Sequence, residues 1–163
     1  MKPLALLLAS AIAGLAFVAS ASTAPDPALL TIPKLGIYGK PVGNGSRMLA
    51  DGPVWQPGFN ARPGQGKAMI IAGHDVTPVL GYGAHGPFYR LVTLRKGDLV
   101  EIRWHGWLYK YRFLGEPKLH KENDKQVVVD RGTEAVWFYS CWPRHTHDGR
   151  KWAEAKLVSA KKL

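Results

Sequence analysis

Glycine and proline interrupt this chain so often that no long helix can form beyond its first thirty residues. Past that point the 163-residue chain carries most of its 18 Gly and 12 Pro, set between short runs rich in Val, Ile, Trp and Tyr. Glycine costs a helix or strand interior entropy and proline removes a backbone donor, so such residues mark turns. The runs between them suit strands. The expectation is an all-β domain with one or two short helices, its seven or eight strands closing into a barrel.

The N-terminus has a different character. Lys2 is the only charge before Asp26, and Leu4 to Val18 is an unbroken stretch of Leu, Ala, Ile, Val, Phe, Gly and Ser. Ala19-Ser20-Ala21 follows as a small-x-small cleavage site, so residues 1–21 read as an export signal. Retention of the segment as an anchor is the alternative, since the run approaches the roughly 20 residues that span a bilayer. Residues 22–28 (STAPDPA) form a Pro-rich linker, and residues 29–163 form the domain. Either fate of the leader puts the domain outside the cytoplasm.

Export makes the cysteine count informative. The chain has one cysteine, Cys141, so no intrachain disulfide exists. A lone thiol in an oxidising compartment is either a small buried hydrophobe or a working group. The formal net charge of +10 suits an exported domain that meets anionic surfaces, whether phospholipid headgroups or wall polymers. The basic residues are scattered, no aromatic-basic nucleic-acid module is present, and export argues against nucleic acid.

Along the domain, LLTIPKLGIYGKPV gives short strands broken by Pro33, Gly36 and Gly39. A short helix is expected near Ser46–Leu49. KAMIIAG (67–73) is a buried strand, and a helical turn is expected in PFYRLVTL. Leu99–Arg103 and Trp107–Phe113 alternate apolar and polar residues around His105-Gly106, the pattern of a hairpin with one wet face. Residues 115–134 are charged, with one β-branched run at Val127–Val129. AVWFYS (135–140) is the most apolar strand, and Cys141 stands at its end. Lys151–Val158 is the last strand, with Trp152, Ala155 and Leu157 as inward candidates.

Three residues sit at element ends, where chemistry is usually placed: His74, Cys141 and Arg150. A thiolate is a good nucleophile, and a neighbouring imidazolium stabilises it and can protonate a leaving amine. A guanidinium stays charged and offers several donors to an oxyanion. The trio supports acyl transfer with neither a metal nor an organic cofactor. His145 and His147 have the spacing of a metal pair on a strand, but they have no companion Cys or acidic cluster, and no metal is expected.

The segments LTIPKLGI, LADGPVWQPGFNARPGQGKAMIIAGHD, GPFYRLVTLRKGDLVEI, YSC and GRKWAEAKL resemble, in order, the landmarks of the sortase family. The resemblance covers about residues 29–160 and is closest to classes E and F, without choosing between them. It implies a sortase β-barrel and a cysteine transpeptidase that cleaves an LPXTG-like or LAXTG-like sorting signal after Thr. The acyl group would pass through a Cys141 thioester to an amine of a peptidoglycan precursor or a pilin Lys. By the same matching His74, Cys141 and Arg150 are the catalytic residues, with Arg144 the competitor for the arginine role. Ser140, Trp142 and Asp75 are expected to border the substrate, and Asp75 either orients His74 or caps a turn. Ser140 stands where the family has Thr, and Trp137 and Phe138 are bulkier than usual, which alters the signal expected. Two other readings remain beside this one. An L,D-transpeptidase would carry a His-Gly pair just before the Cys, where Tyr139-Ser140 stand here. A non-catalytic β-barrel binding anionic polymers would use the charge alone.

Overall fold

The computed structural model describes residues 27–45, 52–59, 61–76, 85–121, 128, 130–143 and 148–163. The expected helix at Ser46–Leu49, Arg144 and the His145–His147 pair lie outside these residues. Nine strands are present among the described residues: β1 Ala28–Ile32, β2 Ile37–Asn44, β3 Val54–Trp55, β4 Ala68–Ala72, β5 Leu99–Trp104, β6 Trp107–Phe113, β7 Lys118–Lys121, β8 Ala135–Cys141 and β9 Gly149–Lys162. The described helical pieces are two 3-10 turns, Pro33–Leu35 and Leu91–Thr93. The second falls within PFYRLVTL, as expected.

The strand order is β6-β5-β1-β2-β3-β4-β8-β9, and β6 pairs in turn with β9, so eight strands close a barrel. Closure removes the unpaired edges that would otherwise invite aggregation. β7 adds outside this ring, along the first half of β9. It escapes sequence reading because KLHK is largely exposed and shows no buried alternation. The hairpin β5–β6 forms as read, with Val100, Ile102, Tyr109, Tyr111 and Phe113 turned inward.

β4 and β8 pair in parallel, Ala68 opposite Ala135 through Ala72 opposite Tyr139. Parallel strands are usually covered on both faces and so read as continuous apolar runs. Every residue of β4 is buried, as are the first four of β8. Met69, Ile71, Val136 and Phe138 enter the main core, while Ala68, Ile70 and Trp137 form a second cluster on the outer face. In β9, Ala153 and Ala155 are buried in the core with Leu157 packed on it. Trp152 takes the opposite parity and packs on Tyr139 outside the barrel, with ring centroids 4.5 Å apart. The inward assignment of Trp152 is therefore corrected, because strand alternation cannot send 152 and 155 to one face.

One buried carboxylate ties the far end of the parallel pair. Glu134, just before β8, accepts the Tyr111 hydroxyl at 2.7 Å and the backbone N–H groups of Gly64 and Gly66 at about 3.0 Å. Gly64 has φ +86°, and a Cβ there would lie 2.6 Å from the Tyr109 hydroxyl. The loop before β4 is thus fastened to the start of β8. Burial, with the Glu134 bond second, raises the Tyr111 pKa far above its usual value, so its hydroxyl remains a donor. Replacing Glu134 with Ala strands these buried donors and should cost about 3 kcal/mol. Tyr111→Phe, which removes a single partner, should cost about 1–2 kcal/mol. Urea unfolding monitored by tryptophan fluorescence checks both, and an unchanged midpoint for Glu134→Ala would contradict the staple.

Candidate active site

The parallel register carries on past the end of β4. The Gly73 N–H donates to the Tyr139 carbonyl at 3.1 Å, which brings His74 level with Cys141. On the other side of β8 the antiparallel register places Cys141 directly opposite Arg150. Residues separated by 67 in sequence are therefore brought level at the ends of three neighbouring strands, β4, β8 and β9.

Side-chain parity places them on one face. Alternation sends Cys141 to the side of Tyr139 and Trp137, Arg150 to the side of Trp152, and His74 to the side of Ile70. All of these belong to the outer face, and His74, Cys141 and Arg150 are each half-buried. The trio is thus within reach of a ligand lying along the barrel wall, while its backbone belongs to the closed sheet. Arg150 lines up with His120 of β7 on its other side, a neighbour hidden from sequence reading because β7 has no buried alternation.

The loop after β4 is held by backbone contacts. The His74 carbonyl accepts the Phe88 N–H at 2.9 Å, and the Asp75 carbonyl accepts the Gly86 N–H at 2.8 Å. Val76 and His85 form an isolated bridge beside them. Gly86 packs against His74 so closely that a Cβ there would lie 2.3 Å from the His74 carbonyl oxygen. Phe88 is buried and meets Phe138 edge-on, with centroids 5.7 Å apart, so the His74 backbone is referenced to β8 itself.

The residues expected to touch substrate are placed differently from one another. Ser140 is 3% exposed and shares the inward parity of Phe138 and Val136, so its hydroxyl lies behind the sheet from Cys141. Asp75 is 5% exposed, and its Oδ1 accepts the N–H of the next residue, Val76, at 2.7 Å. Its Oδ2 is buried without a hydrogen-bond partner among the described residues. Trp142 stands half-buried beside Cys141, its N–H donating to the Gly149 carbonyl at 2.9 Å. Its ring takes the Lys151 ammonium at 4.0 Å from the centroid. The peptide bond from Trp142 to Pro143 is cis.

Tyr139 is the residue sequence reading overlooked, although its position two before Cys141 is the signal that could have found it. It shares the outer face with Cys141, and its hydroxyl donates to the Gln56 side-chain oxygen. Burial raises its pKa, outweighing the nearby Arg150 charge that lowers it, and Cys141 adds to the rise. The phenol therefore stays neutral beside the thiol. Among the described residues no group of three His, Cys, Asp or Glu side chains is placed to hold a metal ion.

Comparison with known proteins points to one family. The family model described as the sortase domain matches residues 30–158. The structure resembles sortase E from Streptomyces avermitilis at 27% identity, covering 83% of this chain and 90% of that one, with a TM-score of 0.66. Sortase C-3 from Streptococcus pneumoniae shares the fold at 22% identity and a TM-score of 0.71, over 86% of this chain and 67% of that one. The SrtF sortase from Corynebacterium diphtheriae does so at 16% identity and 0.67, over 86% and 90%. A search of curated proteins gave no match.

The Gly86 contact leads to a kinetic expectation. Gly86→Ala forces the His74 backbone to move, and misplacing a catalytic group by about 1 Å costs on the order of 10²-fold in rate. We expect kcat to fall by one to two orders of magnitude in a chain that still unfolds cooperatively. Wild-type kcat in a soluble Gly86→Ala variant would refute the contact's role.

Proposed function

The chain belongs to the sortase family, and on that premise we propose that Cys141, His74 and Arg150 perform its transpeptidation. Sortases are cysteine transpeptidases that act on sorting signals and pass the acyl group to an amine. The observation that supports these three residues is their common level and common outer face on β4, β8 and β9.

The steps follow from the chemistry of the groups. The Cys141 thiolate attacks the Thr carbonyl carbon in an LPXTG-like or LAXTG-like signal, and the carbonyl oxygen takes up negative charge. The Arg150 guanidinium donates to that oxyanion. As the C–N bond breaks, His74 gives its proton to the departing amine, leaving a thioester on Cys141. The incoming amine, from a peptidoglycan precursor or a pilin Lys, loses a proton to His74 as it attacks. The thiolate then leaves and the enzyme is restored. Trp142, beside the nucleophile, walls the groove that holds the signal; Ser140 and Asp75 support the site from behind.

Sortases are generally anchored to the membrane or extracellular. For this chain we read residues 1–21 as the export signal or anchor, with the domain on the outer face of the membrane or secreted. Among the described residues no helix is long and apolar enough to cross a membrane.

Cleavage of fluorogenic LPXTG and LAXTG peptides tests the assignment. Cys141→Ala and His74→Ala should abolish turnover, and Arg150→Ala should lower kcat by about 10²–10³. The rate should be bell-shaped in pH, because only the thiolate–imidazolium pair works. Full activity in Arg150→Ala, with Arg144→Ala the damaging change, would overturn the arginine assignment. A flat profile across the neutral range would contradict the ion pair.

A further inference from the structure

The end of the barrel away from the active site has its own surface chemistry. β5, β6 and the β9 residues 155–162 carry six basic side chains (Arg103, Lys110, Arg112, Lys156, Lys161 and Lys162) against one acid, Glu101. Glu101 is already paired with Lys110 at 2.9 Å. Arg112 and Lys156 are direct cross-strand partners, a like-charge apposition that destabilises an isolated sheet. Arg112 is also held by a bond to the Gly97 carbonyl at 2.7 Å, but that bond does nothing to balance the positive charge of this surface. An anionic partner would make it favourable.

Apolar groups stand among these charges. Trp107 is 38% exposed at the barrel rim and Leu163 is exposed beside it, while Val158 is exposed further back along β9. The Leu163 N–H donates to the Gly106 carbonyl at 2.8 Å, which joins the C-terminus to the β5–β6 turn. Exposed tryptophan and aliphatic side chains surrounded by lysines suit the headgroup region of a bilayer, where an aromatic ring and a cation both find partners. A soluble polyanion would use the lysines and leave the apolar groups without a role.

Chain connectivity points to the same end. Leu29 pairs with Arg103, Trp104 with Trp107, and Trp107 with Lys162, so the first residue of β1 lies level with this rim. The apolar stretch ending at Val18 precedes Ala28 by nine intervening residues, which reach at most about 30 Å when extended. Along β9 the rim at Lys162 lies twelve residues from Arg150, about 40 Å of strand.

We propose that this rim, formed by Arg103, Trp107, Lys161, Lys162 and Leu163, docks the domain on an anionic lipid bilayer, with Arg112 and Lys156 about 17 Å further along the strands. The catalytic face then lies at the distal end, turned away from the lipid. Docking requires no step of the transpeptidation, so it is tested apart from catalysis.

The test is vesicle binding by the full chain, using phosphatidylglycerol-containing vesicles against pure phosphatidylcholine at low and high salt. The N-terminal apolar stretch contributes to both lipids alike, whereas the rim contributes only to the anionic one. Each basic residue near such a surface is worth roughly fivefold in affinity, so Arg103→Gln/Lys161→Gln/Lys162→Gln should erase about a hundredfold preference for the anionic vesicles. Trp107→Ser should weaken anionic binding further, and both variants should cleave soluble signal peptide at the wild-type rate. A triple variant that keeps its anionic preference overturns the proposal. So does binding that polyphosphate displaces fully and Trp107→Ser leaves unchanged, an outcome that would make the rim a site for soluble polyanions.

Discussion

The parallel pairing of β4 with β8 is the constraint on which the rest of this structure depends. Parallel neighbours cannot be joined by a tight turn, so the intervening chain must cross back before the second strand can start. Here that excursion runs from Gly73 to Glu134 and contains β5, β6 and β7. Its reward is that two strands point the same way and end at one level, so His74 and Cys141 emerge side by side. Antiparallel β9 then needs only a short connection after Cys141 to return Arg150 opposite it.

The pairing is secured at both ends by different means. At its start, Glu134 fastens the loop before β4 to β8 and to Tyr111 of β6, through bonds that are all buried or partly buried. At its finish, the return of the chain through Gly86 and Phe88 presses on the His74 backbone. Between them, apolar side chains cover both faces of the strands. A sheet covered in this way gives a reactive group little backbone freedom, which suits a site whose rate depends on geometry.

The strands with strong local patterns were legible in the sequence. KAMIIAG and AVWFYS declared themselves by apolar continuity, and the β5–β6 hairpin by alternation around His105-Gly106. β7 was not visible because its residues are exposed and its pairing depends on β9 alone. Trp152 was assigned inward on hydrophobicity, whereas its register with Tyr139 turns it outward onto an aromatic neighbour. The residues of the candidate site were legible as types at strand ends, and their meeting was not, because 67 residues separate His74 from Cys141. Only family resemblance supplied that step. Gly86 and Tyr139 act through close approach and face parity, which depend on register.

The central claim is that Cys141 carries a covalent acyl group between two amines. Intact mass spectrometry of the full chain with an LPXTG or LAXTG peptide tests it most directly. The account predicts an adduct equal to the peptide's acyl fragment on the wild type, absent from Cys141→Ala and discharged when an amine is added. A folded wild-type chain whose thiol reacts with iodoacetamide, yet forms no adduct while peptide is consumed, would contradict it.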